Sequence, residues 1–522
     1  MMMKKQVLSV LAASLLAIGS TAQAEELKIA FADNLSSLDP QLNNFAGDRS
    51  AGLFFFDMLV SNYYNKLLPS LATEWKNIDE NTWHFTLRPS VKWSNGEAVT
   101  AEDIIFSIER ARKVPGSVAP FTSYVRTIES VTAKDAQTLE FKTNIPNPNL
   151  PLNLASVPIV NKKVVEGATS EDFNSGKALV GTGPYVLDTY TPGKGFIAKA
   201  NPNYWGEKVF WDKVDYRYTA NAASRTAALL AGDVDVIDKV SVSDLPALEK
   251  NDKVSVYAYN GLRVLVLQPS FNPNPNQYIT DNAGKPLDKN PLLDVKVRQA
   301  LSLAINREAV ASRILQNGVT VANQWMPKGS IGYNPEIQDI AFDAAKAKAL
   351  LAEAGYPEGF KLTVHVPTDR YPLAPETVQA VAQFWTRIGV KTEVQVVPWA
   401  VYSGEAKKNN YAMSVIAWGN GTGEASYGMV SILATVNPEK GLGASNWGRY
   451  SSERFDQLLA QTTKEFDQAK REGFMREAAQ VVSEDVGIIP LFHYKNIWAA
   501  KKGLVVKPLS SDRTVPVMVT KE

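Results

Sequence analysis

Between residues 343 and 418 the hydrophobic period of the chain changes again and again, and this constrains the fold more than any single motif. Asp343 opens a helix with Ala347, Leu350, Leu351 and Ala354 on one face, and Gly355 stops it. Residues 361–366 read as a strand. Val378, Val381, Phe384, Trp385 and Ile388 return at helical spacing, and Gly389 ends that helix. Residues 390–397 and 411–418 read as further strands. Helices alternating with strands bury their apolar faces by packing on a sheet, so this half of the chain is an α/β unit. Just upstream, Asp294 and Asn306 cap two helical stretches, the first carrying Val297, Leu301, Ala304 and Ile305. Downstream, 454–460 and 468–482 read as helices and 487–492 as a strand.

The first half follows the same logic. Residues 27–31 form a strand that ends in a polar loop from Asp33 to Pro40. A strand at 214–218, a helix at 224–231 closed by Gly232 and a strand at 234–237 make a strand–helix–strand unit, which favours parallel pairing. Residues 83–87 alternate as a half-buried strand, Asn95-Gly96 is a turn dipeptide, and Thr100 with Asp103 forms a capping box. A chain of 522 residues exceeds one ordinary core, so two or three compact units are expected. Proline, glycine and asparagine punctuate 269–291, a long loop at the surface or crossing between units.

The N-terminus reads as an export signal. Lys4 and Lys5 precede a short apolar run at 7–18, and Ala22-Gln23-Ala24 offers a cleavage site, so the mature chain is expected to start at Glu25. Its removal takes the formal charge from +1 to about −1. Such a balance implies no nucleic-acid partner. The absence of cysteine excludes disulfides and a lipoprotein signal. No later run has the length of a transmembrane helix. The expected address is the periplasm of a Gram-negative bacterium.

Several ordered blocks carry a family resemblance. They are Leu71-Ala72-Thr73-Glu74-Trp75, Thr82 to Arg88, Trp93 to Ile104, Gly181-Thr182-Gly183-Pro184-Tyr185, Asn201 to Gly206, Val297 to Leu301, Ala304 to Glu308, Ala349 to Tyr356, and Phe455-Asp456-Gln457-Leu458. Together they resemble family 5 of the extracytoplasmic solute-binding proteins, which serve peptide-type ABC importers. The resemblance implies an α/β, two-lobed, type II-like periplasmic binding fold of the large cluster C form, with an extra inserted subdomain. It implies a discontinuous lobe I at 25–57, 182–265 and 491–522, an insert at 58–181 and lobe II at 266–490. It further implies Venus-flytrap capture of a small solute, most simply a di- or oligopeptide, and delivery to ABC permease subunits in the inner membrane. A nickel chelate, haem, or a sugar or opine-like compound is the alternative solute. No cofactor is implied, and a monomer is expected.

Ligands of open α/β sheets lie beyond the carboxyl ends of strands. That rule selects Asn34 and Ser36 after the first strand, and the glycine-rich loop Trp418, Gly419, Asn420, Glu424, Tyr427 after another. Glycines admit close backbone approach, and Trp418 offers a flat, stiff surface. In peptide-binding relatives an aspartate of this loop holds the peptide ammonium; the register places Gly421 there, so Glu424 is the candidate replacement. Tyr124 in the insert and Asn446 and Trp447 in a late block complete the candidates. No catalytic or metal set is expected. His84, His365 and His493 are far apart, and neither a nucleophile elbow nor a phosphate loop is present.

Overall fold

A computed structural model describes residues 25–522 apart from 64, 65, 275, 276, 508 and 510; the expected export signal lies outside the described residues. Its organising element is a twelve-stranded mixed sheet. One half contains the parallel strands Glu26–Phe31, Lys213–Tyr218 and Val236–Ile237, extended by the antiparallel Gly195–Ala200 and Tyr185–Thr191. The other half contains Lys361–Pro367, Lys391–Val397 and Met413–Gly419, all parallel to one another. Two long antiparallel strands, Val254–Pro269 and Ile489–Lys501, belong to both halves. Each half buries its own apolar core, one built around Phe31, Phe54 and Tyr216, the other around Trp325, Trp385 and Met413. The result is a two-lobed α/β fold with helices on the sheet faces.

The junction is built into the long strands. Up to Asn260 the first strand runs beside Lys495–Lys501, whose Ala499 and Ala500 pair with Val236–Ile237 of lobe I. From Arg263 onward it pairs with Met413–Gly419 of lobe II. Between these points the register shifts, and Gly261 and Leu262 stand in a bulge. A Cβ on Gly261 would meet Tyr494 O at 2.5 Å, so the backbones approach too closely for any side chain. The loop at 269–291 does not cross between lobes. It starts where the long strand ends inside lobe II, and its Ile279–Thr280 pairs with Lys361 and Leu362. The crossing is made by strands because a ladder satisfies backbone groups that a buried loop would leave open.

The strand–helix–strand unit also differs from expectation in one respect. Lys213–Tyr218 and Val236–Ile237 are parallel but do not touch, since Glu26–Phe31 lies between them. A separate four-stranded sheet, Ala72–Asp79, Thr82–Leu87, Thr138–Thr143 and Ile128–Ala133, forms the insert with its own core around Phe85, Trp93 and Phe141.

The recognisable sequence blocks have structural tasks. The Thr100–Asp103 capping box starts Ala101–Arg112. Gly181 and Gly183 lie against the backbone of Phe54–Phe56, where a Cβ would come within 1.8 and 2.5 Å of Phe55. Thr182 and Trp205 both bond the Asp57 carboxylate, at 2.9 and 2.8 Å. Arg298 is buried and donates to four carbonyls, those of Leu292, Leu293, Asp485 and Val486. It thereby ties the helix Val295–Leu303 to the end of Gln468–Asp485. Replacing it with Met keeps the stem but strands these acceptors. We expect Arg298→Met to lose about 3 kcal/mol of stability in urea unfolding, with solute affinity of the folded fraction unchanged.

Candidate functional site

The loop after Met413–Gly419 is shaped from within. The Asn420 side chain accepts from Thr422 N, Thr422 Oγ1 and Gly423 N at 2.9–3.1 Å and donates to Glu424 O at 2.8 Å. With these bonds made, the loop curls and presents Gly419 and Gly421 outward. A Cβ at Gly421 would meet nothing within 4 Å, so the position faces open space.

That open space is a cavity of about 210 Å³ between the lobes, beside the strand junction. Lobe I contributes Asn44, Ala46, Arg49 and the late segment Ser511–Arg513; the junction contributes Arg263 and lobe II the loop glycines. Arg263 donates to Ala417 O at 3.0 Å and Arg49 to Ser156 Oγ at 3.5 Å. Among the described residues no carboxylate forms a salt bridge with Arg49, Arg263 or Arg513. Asp512, the acid of the lining, lies 3.7 Å from Lys239, which is also bonded to Asp33.

Aromatic groups extend the same cleft. Trp418 is half-buried, its ring centroid 5.2 Å from that of Tyr427. Tyr427 is 43% exposed, yet its hydroxyl is crowded enough for desolvation to raise its pKa; Tyr124 adds to the shift and Arg49 opposes it. These groups of lobe I, lobe II and insert therefore face one another. Asn44 donates to Tyr124 Oη at 3.3 Å, tying the insert to lobe I at this wall.

Of the candidates, Gly419 and Asn420 line the cavity, Tyr124 touches its lining residue Asn44, and Trp418 and Tyr427 pair on the same loop; the others are not part of that lining. Glu424 is 3% exposed and is engaged by Arg471, whose two terminal nitrogens reach its two oxygens, one at 2.8 Å. Asn149 and Ser426 bond the same carboxylate. Buried and paired, it does not line the cavity at the strand junction; with Arg471 it borders a larger cavity on the other side of the loop. Ser36 is exposed, but its amide and hydroxyl bond Asp48 at 2.7 and 2.5 Å, fixing the start of the helix Ala46–Phe55. Asn34 is exposed and its carbonyl lies where a Gly47 Cβ would sit. Asn446 and Trp447 are buried at the other end of lobe II: Trp447 N bonds Gln268, and Asn446 bonds Ala434 O and Tyr450 O. Gln268 is five residues along the strand from Arg263, roughly 17 Å away. Sequence reasoning missed Asn44, Arg49, Arg263 and Arg513, which no local pattern connects.

A larger cavity, about 660 Å³, lies on the other side of the loop, between the insert and lobe II. Trp75, Trp83, Phe466 and Arg471 line it. Asn62 donates to Thr422 O at 3.0 Å and Asn149 accepts from Arg471 at 2.5 Å, so polar contacts bridge this seam.

The histidines are dispersed. His84 pairs with Glu140 in the insert, whereas His365 is buried on the strand Lys361–Pro367 and His493 on the strand Ile489–Lys501. Among the described residues no group of three or more His, Asp and Glu is placed to hold a metal ion, and no helix is long and apolar enough to cross a membrane.

A two-lobed α/β body with a cleft at its strand junction is the architecture of a solute-binding protein. The model of the bacterial extracellular solute-binding proteins, family 5 (middle) matches residues 66–439, and the chain belongs to that family. It is 26% identical over 473 residues to the dipeptide-binding protein of Escherichia coli (strain K12), covering 85% of this chain and 84% of the relative. It is 28% identical over 480 residues to heme-binding protein A of Haemophilus influenzae, covering 86% and 84%. The solved structure of HbpA2 from Haemophilus parasuis superposes with a TM-score of 0.82 at 26% identity, over 95% of this chain and all of that one.

Two predictions follow from the charges. Glu424→Gln leaves the buried Arg471 guanidinium uncompensated and is expected to cost about 3–5 kcal/mol in urea unfolding, with Glu424→Leu plus Arg471→Met recovering most of it. The second concerns pH. Burial pushes the Asp238 carboxyl up to about 6, opposed by Lys239, so its contribution to stability is greatest below about pH 4 and is lost as pH rises through 6. Burial also pushes His365 and His493 down to about 4, so their contribution is full above 6.5 and is lost as pH falls toward 4. The two slopes oppose each other. Asp238→Asn removes the first, so relative to the unmodified protein the variant should gain up to about 3 kcal/mol between pH 4 and 6.5, read from urea midpoints at each pH.

Proposed function

We propose that this protein is the periplasmic solute-binding component of an ABC importer. It takes a di- or oligopeptide-sized solute into the interlobe cleft, closes on it and hands it to permease subunits in the inner membrane. It acts as a monomer, without nucleic acid and without catalysing a reaction. A cleavable signal at 1–24 exports it, and no lipid anchors it. Lobe I comprises 25–57, 182–265 and 491–522, the insert 58–181 and lobe II 266–490.

The observation that carries this reading is the position of the cleft. It lies where the two shared strands bulge, and segments of both lobes supply its walls. A solute touching both lobes makes its full contacts only when they close, so binding favours the closed population. The acids Asp33 and Asp39 have other partners: Asp39 is held by Arg110 at 2.6 Å and Asp33 by Lys239, which leaves no free carboxylate pair there for hydrolysis. A second reading keeps the transport role with a non-peptide solute such as a chelate or haem. It is favoured by the engagement of Glu424 with Arg471 and by the haem-binding relative.

Trp418→Ala removes the half-buried indole that faces Tyr427. Affinity for the solute that the protein carries when purified should fall about tenfold or more, measured by calorimetry after that solute has been released and added back. An unchanged affinity would place binding outside this cleft.

A further inference from the structure

The cleft's charge names the chemical class of its solute. Arg49 comes from the helix Ala46–Phe55, Arg263 from the junction strand and Arg513 from the late segment, and all three line one small cavity. Asp512 is the only acid in that lining, and Lys239 stands beside it. The lining therefore carries an excess of positive charge in a chain whose formal charge is only +1. Like charges gathered in a narrow cleft repel one another, and low-dielectric walls strengthen the effect. Their cluster is disfavoured until a counter-charge enters. The two loop positions nearest to an ammonium-binding role do not offset it. Glu424 is paired with Arg471 inside the protein, and Gly421 has no side chain.

We infer that the solute is an acid with two or more carboxylates and no free ammonium group, its acidic end held by Arg49, Arg263 and Arg513. This rests on the solute-binding reading above. The guanidinium fork matches carboxylate geometry and stays charged at any physiological pH. The cavity, about 210 Å³, has room for about seven waters at bulk density. That suits the acidic end of a solute rather than a whole oligopeptide. The rest of the molecule extends along the aromatic wall of Trp418 and Tyr427. All three arginines lie in segments of lobe I and loop residues 419–421 of lobe II line the same cavity, so a polycarboxylate held there touches both moving parts. Its charge then drives closure as well as recognition.

The test uses the full mature protein. Native mass spectrometry before and after mild unfolding identifies any trapped solute. Refolded protein is then titrated with N-acetyl-Asp-Glu, Ala-Ala and Lys-Lys at low and high salt. The expected result is a trapped solute that is anionic and lacks an amine, or binding of N-acetyl-Asp-Glu in preference to the other two, weakened by salt. Arg49→Gln, Arg263→Gln and Arg513→Gln should each weaken that binding about tenfold or more. Gly421→Asp has space for its side chain and should also weaken it, by lowering the charge of the cleft without disturbing the core. Circular dichroism melts confirm that each variant is folded. A trapped solute or preferred dipeptide bearing a free ammonium, or folded arginine variants with unaltered affinity, overturns the inference and leaves the solute-binding reading standing. No trapped solute together with no binding of any of the three dipeptides overturns both.

Discussion

Everything in this molecule depends on the pairing of two long strands, Val254–Pro269 and Ile489–Lys501, through both lobes. A hydrogen-bonded ladder resists bending, and this one is interrupted at two places, the bulge at Gly261 and Leu262 and a second register shift between Leu265 and Val266. The close approach of Gly261 to Tyr494 O admits no side chain, and Arg263, two residues on, lines the cavity between the lobes. The bulge and a cavity-lining cation are thus neighbours on one strand.

Electrostatic roles are divided between the two sides of the loop that follows Gly419. On one side Glu424 and Arg471 neutralise each other, with Asn149 of the insert completing the group. A buried pair of this kind contributes little net stability but is costly to break, so it fixes geometry more than it adds binding energy. It holds the far wall of the loop against the insert. On the other side Arg49, Arg263 and Arg513 form no salt bridge with a carboxylate among the described residues and line the cavity. Asn420 separates the two environments by curling the loop through its own side chain. One short segment therefore has an internally satisfied face and an unsatisfied, cationic one.

The sequence was legible wherever structure is local. Asp294, Asn306 and Asp343 cap the helices Val295–Leu303, Arg307–Arg313 and Ala344–Glu353, each accepting from a backbone N–H of the first turn. The strands at 361–367, 391–397 and 413–419 follow the alternation or apolar runs that mark them. The rule that solutes lie beyond strand ends led to the loop whose Gly419 and Asn420 line the cavity at the strand junction. Glu424 and Ser36, chosen by the same rule, and Asn446 and Trp447, chosen from a family block, have partners within the protein. A residue type and a loop position do not reveal whether the side chain already has a partner, and Arg471, Asp48 and Gln268 supply partners from elsewhere in the chain.

By itself, the sequence determined the class of fold and the helix and strand repertoire, because caps, turns and hydrophobic period act within a few residues. It also carried the family blocks, whose conspicuous glycines and tryptophan proved to be close-contact and anchoring positions around Phe55 and Asp57. Only tertiary structure decided which strands cross between the lobes, which acid is consumed internally and which cations remain exposed. Arg49, Arg263 and Arg513 are separated by more than two hundred residues at each step, and no local pattern relates them. They share a cavity because sheet pairing over long range folds the N-terminal helix, the junction strand and the C-terminal segment onto one another. The charge of the cleft is a property of that pairing, not of any stretch of sequence.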